Sequence, residues 1–229
     1  MPTTLADSLR LAADDNHAFT CYRSRPKDSP PRAGLIVAQE IFGVNRHIRR
    51  TCDRYAESGL LVLAPALFDR VQPGIELTYQ PDDIARGREL KAAVAYDQAT
   101  EDMAACVRWL LQQQLKIGVV GFCWGGDIAW LSARLPGVAA SAPFYGGGIG
   151  KLAADNPPKA AVQLHFGLED QAIPESARQA AYAAAPKAEV FEYPAGHGFC
   201  CEERGSYQAE AAEAAWERSR AFLARHLGA

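Results

Sequence analysis

The sequence lacks the features that mark several large classes of protein. No apolar run is long enough to cross a bilayer, and residues 1–17 are polar, without the apolar core of a secretory signal. The net charge of -3 gives no basis for binding to nucleic acid or to a membrane surface. We therefore expect a cytoplasmic protein that has neither a nucleic-acid partner nor a membrane partner.

Metal and disulfide frameworks are also missing. The six cysteines form no paired framework and no C-x-x-C pattern, and the sequence has no H-E-x-x-H motif and no clustered His and Cys ligands. These absences predict free thiols in a reducing compartment, with no metal and no other cofactor. Cys200 and Cys201 are adjacent, and a bond between them would strain the backbone. We favour two structural thiols there over a redox switch.

The sequence does contain a regular alternation of strand and helix patterns. Its 229 residues are 48% hydrophobic and 22% charged, which suits one globular domain over residues 1–229. Strands are predicted at residues 18–22, 34–38, 60–65, 117–120, 138–145, 161–166 and 188–193. Most of these runs are apolar throughout, as strands buried on both faces require. The alternation predicts an α/β fold in which helices cover both faces of a mostly parallel central sheet.

Several helix ends can be placed from capping residues. Asn45 is a suitable N-cap for the helix after the second predicted strand, and Gly59 is suited to end that helix. The last helix is predicted over residues 207–227. Residues 69–81 form a long irregular loop, and loops of this length in compact domains are often functional.

The central motif is Gly121-Phe122-Cys123-Trp124-Gly125-Gly126, which follows the apolar run at residues 117–120. The G-x-C-x-G pattern between a strand and a helix predicts a strained turn that holds the cysteine beyond the carboxyl end of the strand, pointing out of the top of the sheet. Glycines are needed on both sides because a Cβ there would collide with the neighbouring strand and helix. A buried cysteine in an ordinary strand–helix turn is the alternative.

Polar groups at strand ends extend this interpretation, because sites in parallel sheets lie beyond the carboxyl ends of the strands. Glu40, Cys123, Asp170 and His197 all lie at such ends. The last three occur in the chain order nucleophile, acid, histidine that α/β-hydrolases use. Glu169 competes with Asp170 for the acid role, and the G-x-x-D spacing after the strand favours Asp170.

Each of these groups has a chemical role in nucleophilic catalysis. His197 can take the thiol proton of Cys123 and later return it to a leaving group, while Asp170 orients the imidazole. Backbone amides of Trp124 and Ile41 are the expected oxyanion hole.

The other histidines receive less specific interpretations. His197 itself has an alternative as a surface-loop histidine, although its Gly-His-Gly setting favours catalysis. His165 lies within a strand and is expected in the core. His17, His47 and His226 are expected to be solvated.

Three segments resemble the dienelactone hydrolase family, also called the carboxymethylenebutenolidases. They are Q-E-I-F-G-V-N at 39–45, G-F-C-W-G-G at 121–126 and A-G-H-G-F at 195–199. The resemblance implies an α/β-hydrolase fold and hydrolysis of cyclic enol-lactones such as dienelactone. It also implies that Cys123 is the nucleophile, His197 the base and Asp170 the orienting acid.

The resemblance further implies a role for Glu40, which matches the family's glutamate beside the nucleophile. Such a carboxylate can accept the thiol hydrogen bond and disfavour a resident thiolate until a substrate draws it away. The alternative is a buried glutamate that an arginine satisfies.

The same resemblance suggests which residues bind substrate. Arg86 is expected to bind the substrate carboxylate, and Tyr145 and Phe42 are expected to line the pocket. Arg86 has solvated helix charge as its alternative, and Tyr145 has core packing. Where the family places a second arginine, four residues past the histidine, this chain has Cys201; Arg204 is a candidate substitute.

These observations predict a monomeric hydrolase that cleaves a small ester or lactone, most closely one like dienelactone, through a thioester intermediate. A broader carboxylesterase or thioesterase is the alternative within enzymes. The alternative outside enzymes is a binding or redox-sensing protein with a reactive Cys123.

Overall fold

A single eight-stranded sheet organises the computed structural model, which describes residues 3–229. Its strand order is β1-β2-β4-β3-β5-β6-β7-β8. The strands are β1 (Thr4–Ala12), β2 (Ala18–Pro26), β3 (Ala33–Ala38), β4 (Leu60–Pro65), β5 (Ile117–Phe122), β6 (Val138–Phe144), β7 (Ala161–Gly167) and β8 (Glu189–Tyr193). Strands β3 to β8 run parallel, and β1 and β2 add an antiparallel edge.

Helices cover both faces of this sheet. They are α1 (Arg46–Glu57), α2 (Pro81–Ala93), α3 (Tyr96–Gln112), α4 (Trp124–Ser132), α5 (Ile149–Leu152), α6 (Glu175–Ala184) and α7 (Ala209–Leu227). Side chains of β3 alternate between two cores: Leu35 packs with α1 and α7, and Ile36 packs with α3. The predicted α/β class, with a mostly parallel sheet between helices, is confirmed.

Strand β1 was not anticipated, and residues 18–22 belong to the second strand rather than the first. Most β1 side chains are exposed, because the strand pairs only with β2 at the edge of the sheet. An edge strand of this kind buries little apolar surface and therefore leaves a weak pattern in the sequence.

Helix ends follow the capping chemistry of the sequence. The Asn45 side chain accepts a hydrogen bond from the Ile48 amide at 3.3 Å, so the predicted N-cap is confirmed. Gly59, just past the end of α1, has a φ of +95°, which favours glycine. The last helix begins at Ala209, two residues later than predicted, and Gln208 caps it.

Within residues 3–229, no helix combines the length and the apolar character that crossing a membrane requires.

Candidate active site

Cys123 lies on a strained turn between β5 and α4. Its backbone has φ +56° and ψ -117°, a conformation that L-residues rarely adopt. A Cβ at Gly121 would overlap the carbonyl oxygen of Gly125, and a Cβ at Gly125 would overlap the carbonyl oxygen of Ala38. The flanking glycines therefore allow α4 to start directly against β5 and the end of β3. This geometry is that of the predicted nucleophile elbow.

His197 joins Cys123 to Asp170. Its Nε2 lies 3.1 Å from the Cys123 sulfur, and its Nδ1 lies 2.7 Å from a carboxylate oxygen of Asp170. Asp170 is buried after β7, and its other oxygen accepts a hydrogen bond from the Ala172 amide at 2.9 Å. Glu169 is exposed to solvent. The structure therefore brings together the three groups that the chain order singled out, with Asp170 in the acid position.

The electrostatics of this chain favour a charged imidazole. Burial by itself lowers the pKa of His197, but the hydrogen bonds to Asp170 and then to Cys123 outweigh it and raise that pKa to about 10. A hydrogen bond of 2.7 Å from the Ser206 hydroxyl to the His197 carbonyl holds the loop in place. The arrangement can stabilise an imidazolium between a carboxylate and the sulfur.

Glu40 lies fully buried after β3 and is paired with an arginine. Its Oε1 lies 3.2 Å from Arg204 Nη1, and its Oε2 accepts a hydrogen bond of 3.2 Å from the Tyr79 hydroxyl. No hydrogen bond joins Glu40 to Cys123 within residues 3–229. The carboxylate that was expected to accept the thiol hydrogen bond is therefore satisfied by Arg204 and Tyr79.

The turn after β3 lies against the start of α4 because Gly125 allows close approach to the carbonyls of Ala38 and Gln39. The amides of Ile41 and Trp124 donate to no acceptor within residues 3–229. Backbone amides without an internal partner are available to bind a developing oxyanion.

Two of the predicted pocket residues are buried aromatics. The Tyr145 ring lies 5.3 Å from that of His197, and its buried hydroxyl has no hydrogen-bond partner within the described chain. Phe42 packs edge-on against Tyr79, with ring centroids 4.5 Å apart. The Arg204 guanidinium lies 5.8 Å from the centroid of each of these last two rings.

Arg86 makes its side-chain contacts outside this group. It is on α2, its side chain is 43% exposed, and it pairs with Glu89 at 3.1 Å and with Gln72 at 2.9 Å. Among residues 3–229 the arginine that the structure places beside Glu40 is Arg204.

Sequence reasoning missed Tyr79 and misplaced His47. Tyr79 belongs to the long loop before α2, and its only signal was that location. His47 was expected in solvent, but it is only 9% exposed, because α1 turns it towards Phe122, with ring centroids 6.0 Å apart. The prediction for His165 is confirmed: it is fully buried and its ring stacks on Phe144.

Comparisons with known proteins identify the family of this chain. The model of the dienelactone hydrolase family matches residues 19–227. A Synechocystis sp. protein named "Putative carboxymethylenebutenolidase" is 38% identical over 245 residues, covering 99% of this chain and 100% of that protein. A Pseudomonas putida "Carboxymethylenebutenolidase" is 32% identical over 230 residues, covering 96% of this chain and 97% of that protein.

A solved structure shows the same relationship in three dimensions. The Klebsiella pneumoniae crystal structure described as "Putative Dienelactone Hydrolase" superposes with a TM-score of 0.84 at 32% identity, covering 97% of this chain and 99% of that one. The predicted α/β-hydrolase fold is thereby confirmed. With a family model that spans most of its length and relatives that match it from end to end, the chain belongs to the dienelactone hydrolase family of ester- and lactone-cleaving enzymes.

Proposed function

We propose that this enzyme hydrolyses a lactone or ester through a covalent thioester on Cys123. The observation that carries the proposal is the continuous chain from the Cys123 sulfur through His197 to buried Asp170, mounted on a strained turn. A nucleophile, a base within hydrogen-bond reach and an orienting carboxylate are the parts that acyl transfer requires. Membership of the dienelactone hydrolase family supports this reading.

The mechanism has two acyl-transfer steps. The Cys123 sulfur attacks the acyl carbon, the bond to the leaving oxygen breaks, and the His197 imidazolium gives that oxygen a proton. The neutral His197 then takes a proton from water as the water attacks the thioester, and the sulfur leaves. The amides of Ile41 and Trp124 would bind the oxyanion in both steps. The chemistry requires no cofactor.

The substrate proposed first is an anionic lactone like dienelactone. Arg204 supports it, because this guanidinium lies beside the elbow with only Glu40 as its carboxylate partner within residues 3–229. A substrate carboxylate could compete with Glu40 for Arg204. The released Glu40 carboxylate could then change its hydrogen bonding and alter the ionisation of the Cys123 thiol. Phe42 and Tyr145 would line the pocket, and Arg86, on the exposed side of α2, remains a second proposed anion contact.

A broader carboxylesterase or thioesterase is the second candidate. It is favoured by Cys201 at the position where the family carries its second arginine, and by the neutralisation of Arg204 by Glu40. A less anionic acyl group would fit such a pocket.

We further propose a single-domain protein of the cytoplasm. Support comes from the cysteines, because all six are free thiols, as expected in a reducing compartment. The monomeric state stays a prediction, which light scattering after gel filtration would test.

The test of the function is trapping of the acyl group. Mixed with a slowly hydrolysed ester, the enzyme should gain the acyl mass on the peptide that contains Cys123, and Cys123→Ala should abolish both the adduct and turnover. Cys52→Ser, at a fully buried thiol in α1, is the matched control and should keep both. Turnover that survives in Cys123→Ala would overturn the thioester mechanism. Retained binding of an ester with no turnover by the parent enzyme would favour the binding or redox-sensing alternative.

A further inference from the structure

Three side chains with metal-binding atoms meet beside the elbow although they are distant in the sequence. Glu40 follows β3, His47 lies in the first turn of α1, and Cys201 lies in the loop after β8. One donor atom from each lies within 4.8 Å of the other two. Glu40 and Cys201 are fully buried. The cluster brings an oxygen, a nitrogen and a sulfur ligand to one place.

One ring nitrogen of His47 lacks a hydrogen-bond partner. His47 is 9% exposed, and its Nε2 is buried without a hydrogen-bond partner within residues 3–229. Burial lowers the pKa of His47, so the ring is held in the neutral form that binds metals. A buried polar atom without a partner is costly and calls for an explanation. A metal ion bound through Nε2 would satisfy this nitrogen.

The donor set fits Zn²⁺. Zinc is bound by thiolate, imidazole and carboxylate, with a Zn–S distance of about 2.3 Å and Zn–N and Zn–O distances of about 2.0–2.2 Å. A tetrahedral site therefore separates its donors by about 3.3–3.6 Å, so small side-chain rotations would close the present cluster on an ion. A thiolate and an imidazole are softer ligands than the oxygen atoms that magnesium and calcium prefer, so the donor set favours zinc.

Cys201 would change its protonation state on binding. Burial, followed by the charge of Glu40, raises the pKa of Cys201 to about 12, so the free thiol holds its proton. On metal binding that proton leaves to solvent, and a bond forms between zinc and sulfur.

An entry path leads from the surface to His47. A cavity of about 410 Å³ opens there, and its charged lining residues are Asp53, Glu57, Glu202 and Glu203 against Arg50 and Arg54. The excess of carboxylates would raise the local concentration of cations.

We propose that Glu40, His47 and Cys201 bind a Zn²⁺ ion, and that this ion inhibits hydrolysis. The inhibition, but not the binding, rests on the proposed function. Glu40 now pairs with Arg204 at 3.2 Å, and a zinc ion would take that carboxylate as its ligand. A ligated Glu40 could no longer exchange partners when a substrate enters beside Cys123.

The binding test uses Zn²⁺ alone and the full chain. Because Cys123 and His197 offer a rival sulfur–nitrogen pair, calorimetry is done with Cys123→Ala, which should bind one zinc ion per chain. Adding His47→Gln or Cys201→Ser should each weaken the affinity more than about tenfold, and Cys200→Ser, the matched neighbouring thiol, should not. Co²⁺ bound in place of zinc should show a thiolate charge-transfer band that Cys201→Ser removes.

Two results would overturn the site: zinc binding lost with Cys123→Ala alone, or zinc affinity unchanged by Cys201→Ser. Far-ultraviolet circular dichroism checks that each variant folds, and if His47→Gln does not fold, Cys201→Ser decides the question.

The activity test is kept separate. Zinc should inhibit parent turnover of an aryl ester, a chelator should restore it, and His47→Gln should raise the inhibitory zinc concentration more than about tenfold. Binding without inhibition would overturn the inhibitory role and leave the site standing. An enzyme that turned over no ester or lactone would overturn the proposed function, and calorimetry would still decide the metal site.

Discussion

The guanidinium of Arg204 and the fully buried carboxylate of Glu40 form an ion pair of 3.2 Å beside the cysteine elbow. These residues are 164 positions apart in the chain. The resemblance to the family left open whether an arginine satisfies Glu40, and the pair shows that Arg204 does. The glutamate of the Q-E-I-F-G segment has its arginine, and that arginine comes from the loop after the histidine. The pair therefore links the positive charge of Arg204 to Glu40, the carboxylate expected to control the ionisation of the Cys123 thiol.

Replacing Arg204 should weaken binding of an anionic substrate more than it slows ester cleavage itself. We expect Arg204→Gln to raise KM for an anionic lactone by about tenfold or more, with a smaller effect on a neutral aryl ester, because the charge-assisted contact is lost. Arg86→Gln, at the other proposed anion contact, is measured in parallel, and Arg88→Gln, at an exposed position of α2, is the matched control. Steady-state kinetics on both substrates provide the measurement, and equal losses on the two esters would contradict it.

The same substitution should lower stability, since it leaves Glu40 buried without its cation. Breaking a buried pair by removing one partner costs about 3–5 kcal/mol. Urea unfolding should show most of that loss in Arg204→Gln and a partial recovery in the double variant Glu40→Gln with Arg204→Gln. Single effects that simply add in the double variant would refute a direct pairing.

Asp170 should be required for turnover because it fixes which nitrogen of His197 carries the proton. In Asp170→Asn the amide can present its NH₂ to Nδ1, which places the imidazole proton on the wrong nitrogen. A loss in kcat of about 10³- to 10⁴-fold is expected for an acid with this role. Glu169→Gln, at the exposed neighbour, should stay near the parent value. Stopped-flow acylation rates for both variants would decide, and similar rates in the two would sink the assignment.

Gly125 should tolerate no side chain, because a Cβ there overlaps the backbone carbonyls of Ala38 and Gln39. Gly125→Ala is expected to cost about 1–3 kcal/mol or more in unfolding free energy, or to displace α4 and abolish hydrolysis. Gly205→Ala is the control, since a Cβ at that position meets nothing within 4 Å. Thermal melts together with kcat/KM provide the readout. An active Gly125→Ala enzyme of parent stability would show that the turn is looser than the geometry indicates.

His165 should make the fold sensitive to mild acid. Its ring bonds to Tyr193 and Gln163 at 2.9 Å each, and burial lowers its pKa to about 3. The unfolded chain takes up a proton near pH 6.5, whereas the folded chain does not. Stability should therefore fall by up to about 1.4 kcal/mol per pH unit as the pH drops from 6.5 towards 3.

Subtracting a variant isolates this contribution from other titrating groups. The difference in unfolding free energy between parent and His165→Gln should depend on pH over that window and level off above pH 6.5. Parallel curves for the two proteins from pH 7 to pH 4 would contradict the assignment.

Local patterns were enough to predict most of the sheet and the elbow. Apolar runs identified the central strands such as β3, β4 and β5, because a strand buried on both faces must be apolar throughout. Strands β2 and β8 alternate buried and more exposed side chains instead. Strand β1 escaped because only one edge of it is paired and most of its side chains are exposed. His47 was misplaced because a helical position does not reveal which neighbour covers it.

The residues by themselves predicted the kind of chemistry and determined the family: a cysteine between glycines is followed in order by an acid and a histidine, and three segments are typical of one family. Short-range sterics and chain order are properties of the sequence, so they could be read from it. Only the tertiary structure decided the partners, placing Arg204 and Tyr79 on Glu40 and bringing His47 and Cys201 beside that carboxylate. Such contacts join loops at the ends of different strands, and their distances follow from the packing of the whole sheet rather than from any local spacing.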